Sequence, residues 1–154
     1  LLAGIKSFED HPADQSLVVG PMTVTPLDLQ HPDGVVAIRV DCAGRSVVFA
    51  TDVEHGGTVD PRLLSFSAGA DLLIHDAQFT EEEYLGKVGP SRKGWGHSTI
   101  WEAVAAAELS GAARLALFHH DPSRVDDEVA VMESWAKERF PAAFAARDGA
   151  VVTL

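Results

Sequence analysis

The sequence predicts a mixed α/β fold, with a sheet layered against helices, and three observations lead there. Residues 22–51 hold short apolar runs separated by glycine turns. From residue 52 onward, strand-length apolar runs alternate with segments that carry helix start and stop signals. Strands first and alternating helix and strand afterwards is the pattern of a layered α/β domain. With 46% of its 154 residues apolar and 23% charged, the chain is long enough to bury one core. It contains no internal repeat, linker or low-complexity tract, so a single domain over 1–154 is expected.

Taken in order, residues 1–15 show no clear period and are expected to form a lead-in segment, with His11 beside Pro12 in a solvated loop. Met22–Gln30 alternates Val24, Leu27 and Leu29 with polar neighbours, which is a strand signal. Asp33-Gly34 then turns the chain into Val35–Val40, and Ala43-Gly44 turns it again into Arg45–Thr51. Three strands joined by short turns predict an antiparallel meander. Asp60-Pro61 opens a short helix running to about Ala68, with proline at its first position and Gly69 as its stop. Asp71–His75 is a short apolar strand. Thr80 begins a helical turn whose acids, Glu81 to Glu83, sit at the positive end of the dipole. Residues 86–97 hold four glycines and a proline and are expected to form a loop. Thr99-x-x-Glu102 is a capping-box pattern, followed by Ile100, Val104, Ala107 and Leu109 at helical spacing and by Gly111 as a stop. Arg114–Phe118 is a further strand. Ser123 is placed to cap a helix over about 125–139, with Val129, Met132, Trp135 and Ala136 as its buried stripe. Residues 144–154 suggest a hairpin around Asp148-Gly149.

Composition excludes several classes of function. No apolar run approaches the ~18 residues that a bilayer span needs, so no membrane partner is expected. The absence of a basic, apolar opening argues against a secretory signal. A net charge of −11, from 23 acidic and 12 basic side chains, repels phosphate backbones at long range. A nucleic-acid polymer is therefore disfavoured as partner, and a small anionic substrate held by a local basic patch is preferred. The lone cysteine, Cys42, cannot form an internal disulfide, which suits a reducing, cytoplasmic setting. It is expected to pack inside a strand.

Polar side chains that follow strand-like runs are the residues most suited to chemistry. His31 follows one strand, Asp52 follows Phe49-Ala-Thr, His75 and Asp76 follow Leu-Leu-Ile, and His119 follows Leu-Ala-Leu-Phe. Strand ends in layered α/β folds gather side chains from distant sequence. Imidazoles with a carboxylate suit zinc, manganese or iron. On residue types alone, a single strand-end histidine is more often a hydrogen-bonded structural group than a ligand.

The segments Phe49-Ala-Thr-Asp52, His75-Asp-Ala-Gln-Phe79, Gly94-Trp-Gly-His-Ser-Thr99 and Leu117-Phe-His-His-Asp-Pro122, after His31-Pro-Asp-Gly34, occur in that order. Together they resemble the metallo-β-lactamase superfamily of metal-dependent hydrolases, in its phosphodiesterase and transfer-RNA 3′-endonuclease branch. The resemblance covers about residues 20–154 and implies the C-terminal half of an αβ/βα sandwich. It implies a hydrolase that uses two divalent metal ions, zinc first and manganese or iron as alternatives, to activate water against a phosphodiester such as a cyclic nucleotide. His31, Asp52 and His119 match the family's metal ligands, Asp52 as the carboxylate shared between ions, with an exchange between His119 and His120 left open. His97 matches the histidine beside the scissile phosphate, the catalytic position. Arg92 and Lys93 can bind phosphate while Trp95 stacks on a base, or they can form a solvated loop tip. His75 and Asp76 are expected to support the ligands or the His97 loop from behind. Glu54 and His55, beside Asp52, can line the pocket, but a place at the surface is the preferred expectation.

One departure stands out. The family's His-x-His-x-Asp-His string, which supplies ligands from the N-terminal half, occurs nowhere in these residues. Two protein ligands per ion fall below the three of a usual catalytic zinc. The chain, opening on Leu1, is therefore expected to be a fragment, with an N-terminal half or a second copy covering the open sheet face. Two rival functions remain, a non-catalytic interaction domain and a lactone or thioester hydrolase.

Overall fold

The computed structural model describes residues 10–12, 15–29, 31 and 34–154. Most of the lead-in segment, and Gln30, Pro32 and Asp33 of the first predicted turn, lie outside the described residues. The antiparallel part begins one strand earlier than the periodicity shows. β1 (Leu17–Val19) pairs with β2 (Met22–Leu29) across a tight turn at Gly20. β1 is apolar without alternation and exposed throughout, so it carries no period-two signal. β3 (Val35–Cys42) and β4 (Arg45–Ala50) complete the meander, both pairings antiparallel. Cys42 ends β3 half-buried rather than inside the core.

The chain then changes style as its sequence does. α1 (Pro61–Phe66) is capped by Asp60, whose side chain accepts from the Arg62 N–H. β5 (Leu72–Asp76) follows, then α2 (Glu81–Tyr84) and the glycine-rich loop. α3 (Ile100–Ser110) carries the full capping box, with Thr99 accepting from the Glu102 N–H and Glu102 accepting from the Thr99 N–H. Gly111 ends α3 at φ 68°, the left-handed geometry that glycine adopts without a Cβ penalty. β6 (Leu115–Phe118), α4 (Asp126–Arg139) and β7 (Ala143–Ala145) complete the chain.

Three expectations fail in this last part. Ser123 does not cap α4. Its hydroxyl is bound to Asp121, and the helix starts after Val125, whose N–H is accepted by Glu128. Asp121 competes for the hydroxyl because Pro122 turns the chain between them. Trp135 is 40% exposed, while Val129, Met132 and Ala136 form the buried stripe. The predicted hairpin is absent as well, since β7 pairs parallel to β6 and residues 146–154 form no strand.

The seven strands of the described residues lie in one sheet in sequence order. β2 and β4 flank the antiparallel β3, and β5, β6 and β7 add in parallel to β4, so five strands run the same way. Crossovers between parallel strands share one hand, and α3 accordingly packs between α1 and α4 on a single face. Val48, Ala50, Leu73, His75, Leu115, Leu117 and Ala143 point into that layer and are buried. The alternate residues form an apolar second face, where Phe49 and Phe118, each 38% exposed, meet edge-on with ring centroids 5.6 Å apart. No helix among the described residues is long and apolar enough to cross a membrane.

Candidate functional site

Because β2, β4, β5 and β6 run in one direction, their C-terminal ends share one edge, and the sequence places a polar residue at or just beyond each. Asp52 follows β4 with φ 56°, and His119 follows β6 with φ 57°. Left-handed backbone is costly for residues with a Cβ, by ~1–2 kcal/mol, and it breaks the strand so that the side chain turns over the sheet edge. The His119 Nε2 stands 3.1 Å from Asp52 Oδ1. His31, after β2, and His97, before α3, close over the same spot. The His97 ring lies 4.8 Å from that of His119 and 6.0 Å from that of His31.

Donor atoms of His31, Asp52 and His97 all lie within 4.8 Å of one another, as do those of Asp76, His97 and His119. These clusters can hold a metal ion. Ligands on one tetrahedral zinc, bonded at ~2.0–2.1 Å, lie about 3.3 Å apart, so the Asp52–His119 separation already suits a shared ion. His120 joins neither cluster. Both its ring nitrogens are buried without a hydrogen-bond partner among the described residues. Burial, with Arg124 and Arg147 nearby, pushes its pKa down.

Asp76, fully buried at the end of β5, ties the site together. Its Oδ2 accepts from the Asp52 N–H at 3.0 Å and from His97 Nδ1 at 2.9 Å. Its Oδ1 accepts from the Gln78 and Ser98 N–H groups at 3.2 and 3.1 Å. The Asp76 carboxylate raises the His97 pKa above the ordinary range against the opposing effect of burial. With Nδ1 committed to Asp76, Nε2 is the atom that His97 offers to a substrate or an ion.

His75 is buried on the helix side of the sheet and belongs to neither of the two clusters that could hold a metal ion. Its Nδ1 lies 2.7 Å from the Asp76 carbonyl, which can only accept, so this nitrogen carries the proton. Its Nε2 must then accept from His55 Nε2 at 3.0 Å. His55 Nδ1 in turn accepts from the Asp60 N–H at 3.4 Å. Both rings are therefore neutral. Burial, the leading cause in each, pushes both pKa values down to about 4.

The expectation that Glu54 and His55 sit at the surface is overturned. His55 is half-buried against His75, and the Glu54 carboxylate accepts from the Tyr84 hydroxyl at 2.6 Å and from the Gly94 and Gly96 N–H groups at 2.7 and 2.8 Å. Burial pushes the Glu54 pKa up, but these bonds outweigh it and leave the group below the ordinary carboxylate range. No spacing in the sequence announces this contact, because its partners lie 30 to 42 residues away. In the same loop, the Arg92 guanidinium sits 4.3 Å over the Trp95 ring, whose side chain is 52% exposed, and Lys93 is exposed. Arg92 thus stacks on Trp95, and the Phe79 ring meets Trp95 edge-on with centroids 6.4 Å apart.

The chain is similar to known proteins over most of its described length. Residues 4–120 match the family model described as beta-lactamase superfamily domain. Ribonuclease Z of Pyrococcus furiosus is 39% identical over 105 residues, covering 68% of this chain and 30% of that protein. The Bacillus subtilis protein named probable metallo-hydrolase YhfI is 35% identical over 106 residues, covering 69% of this chain and 39% of that one. The crystal structure of YhfI superimposes with a TM-score of 0.71 at 28% identity, over 89% of this chain and 52% of that one. The short form of human tRNase Z shares the fold at a TM-score of 0.62 and 22% identity, over 91% of this chain and 47% of that one. The chain thus spans about a third of the length of these curated relatives and about half of the solved chains. With its mixed seven-stranded sheet, its one-sided helices and its matching residues, the chain belongs to the metallo-β-lactamase superfamily, as part of the αβ/βα fold of that hydrolase family.

Proposed function

We propose that the protein containing this chain is a metal-dependent phosphodiesterase, and that this chain supplies one side of its active site. The convergence of His31, Asp52, His97 and His119 on one sheet edge carries the reading. His31, Asp52 and His119 would hold two divalent ions, zinc first, with Asp52 shared and the remaining ligands supplied from outside this chain. Bound ions would supply Lewis-acid polarisation and a nucleophilic water at neutral pH. His97, anchored by Asp76 through Nδ1, hydrogen-bonds a phosphoryl or leaving-group oxygen through Nε2. Arg92 and Lys93 attract the phosphate, and Trp95 stacks on a base or other flat group.

The ribonuclease Z relatives weaken the expectation that a nucleic-acid polymer is disfavoured as partner. Net charge acts at long range, but capture of a phosphate needs only the local cations of the loop. The substrate class proposed is accordingly a phosphodiester, polymeric or small. The apolar sheet face is the surface proposed to receive the other half of the sandwich.

The test is elemental analysis of the longer protein that contains this chain, followed by hydrolysis of a chromogenic phosphodiester, a lactone and a thioester. Bound divalent metal that is lost in Asp52→Ala and His31→Ala, with phosphodiester cleavage abolished in His97→Ala while metal is retained, is the expected result. A protein that binds no metal, or one that binds metal and cleaves only the lactone or thioester, overturns it.

A further inference from the structure

The loop that carries Arg92, Trp95 and His97 contains Gly86, Gly89, Gly94 and Gly96 within 11 residues. Such a segment gives up much conformational entropy when it adopts one shape, so something must hold it over the site. Its two ends are held in different ways. At the His97 end, the Ser98 hydroxyl donates to the Val53 carbonyl at 2.5 Å, and Glu102 of the capping box accepts from the Gly57 N–H at 2.7 Å. These bonds dock the start of α3 on the segment after Asp52. At the Arg92–Trp95 end, the convergence is on a single carboxylate. Gly94 and Gly96, at φ 81° and 89°, both aim their N–H groups at Glu54, and the Tyr84 hydroxyl reaches it from the far side of the loop. Ser91 and Arg92 fold back on the Tyr84 carbonyl, so Tyr84 and the loop move as one.

We propose that Glu54 is a positioning residue, which holds the glycine-rich loop so that His97 and the Arg92–Trp95 pair face the Asp52–His119 edge. Glu54 stands two residues after Asp52, so one short segment sets both a proposed metal ligand and the loop that closes over it. What the loop does there rests on the hydrolase reading, whereas the holding itself does not. Loss of Glu54 is expected to free the loop without unfolding the sheet, because Ser98, Glu102 and Asp76 keep their own bonds to segment 52–57 and to β5.

The test is amide hydrogen exchange by NMR, on the chain without metal or substrate, for the wild type, Glu54→Ala, Glu54→Gln and Tyr84→Phe. The expected result in Glu54→Ala is exchange of the Gly94 and Gly96 amides accelerated about tenfold or more, since two charge-assisted bonds are lost. The core amides of Leu73 and Leu115 keep their rates. Glu54→Gln, with one acceptor oxygen left, gives an intermediate acceleration, and Tyr84→Phe a smaller one. The downfield resonance of the His97 Nδ1 proton, hydrogen-bonded to Asp76, broadens in Glu54→Ala. Unchanged exchange at Gly94 and Gly96, acceleration spread equally into the core, or an unaltered His97 resonance would overturn the proposal. If Glu54→Ala does not fold, Glu54→Gln and Tyr84→Phe decide the matter by the same readings. No reading depends on hydrolysis, so the holding of the loop and the phosphodiesterase activity stand or fall separately.

Discussion

Replacing Asp76 by asparagine keeps the shape of the side chain but removes one of its two acceptor oxygens. Four donors meet this carboxylate, two on each oxygen: the Asp52 N–H with His97 Nδ1, and the Gln78 N–H with the Ser98 N–H. An asparagine can turn its NH₂ group towards Asp52 and His97, where the His97 ring takes its other tautomer and accepts, but the Asp52 N–H is then left facing a donor in a site with no solvent exposure. A buried donor left unsatisfied costs ~1–3 kcal/mol, so Asp76→Asn should destabilise the chain by about 2 kcal/mol. A domain of ordinary stability, ~5–15 kcal/mol, still folds after such a loss. Urea denaturation followed by circular dichroism reads the difference as a lower midpoint at unchanged slope. The structure also predicts which groups respond: the Asp52 amide and the His97 ring should shift in NMR spectra, and the capping box of α3 should not. A loss below ~1 kcal/mol at constant slope would refute the reasoning, because it would mean that Asp76 does not satisfy these four donors together.

Thr99→Ala removes the side-chain acceptor for the Glu102 N–H at a fully buried cap. It should cost ~0.5–2 kcal/mol, read as a lower thermal midpoint, whereas the exposed Ser123→Ala should change stability by only tenths of that. Acid should weaken the fold in a window set by His55 and His75. Both are held near pKa 4 against an ordinary 6.5, so the native state binds fewer protons than the unfolded chain between those values. Their contribution is complete above about pH 6.5, declines as pH falls, and is lost by about pH 4, with a slope of up to ~1.4 kcal/mol per pH unit for each ring. His97 acts with the opposite sign. Its raised pKa gives stability at lower pH that is lost as pH rises through that value, so its effect lies in a higher window. Denaturation midpoints at several pH values check this, and a midpoint that stays flat between pH 6.5 and 4.5 would contradict the buried neutral pair.

Much of the fold is legible because it is locally encoded. The Thr99–Glu102 box, the Thr80 cap, the Pro61 start and the Gly111 stop are each decided within four residues, where backbone donors and caps compete directly. The meander is legible for the same reason, since period-two alternation and short turns set its register. Local rules fail where a distant or competing partner intervenes. Ser123 has the right chemistry for a cap, but Asp121 takes its hydroxyl. Asp148-Gly149 has the right residues for a hairpin, but β7 finds its partner in β6 across a helix. Trp135 fits the helical period, but the fold leaves it exposed while Met132 and Ala136 are buried.

The site divides along the same line. By itself, the sequence determined that polar, metal-capable residues follow the ends of several strands, because strand ends are set by apolar runs and turn residues close at hand. It determined the candidates His31, Asp52, His97 and His119 and, through the order of the motifs that hold them, the superfamily. Only the tertiary structure decided that these ends share one edge, because that depends on parallel pairing across crossovers of some twenty residues or more. It alone decided that His119, rather than His120, turns towards Asp52, because a left-handed backbone at residue 119 breaks the alternation of the strand. And it alone showed Glu54, alongside the expected Asp76, as a carboxylate that receives the backbone of a distant loop. Such hydrogen bonds carry no period, no spacing and no composition signal; they exist only once the chain has closed on itself.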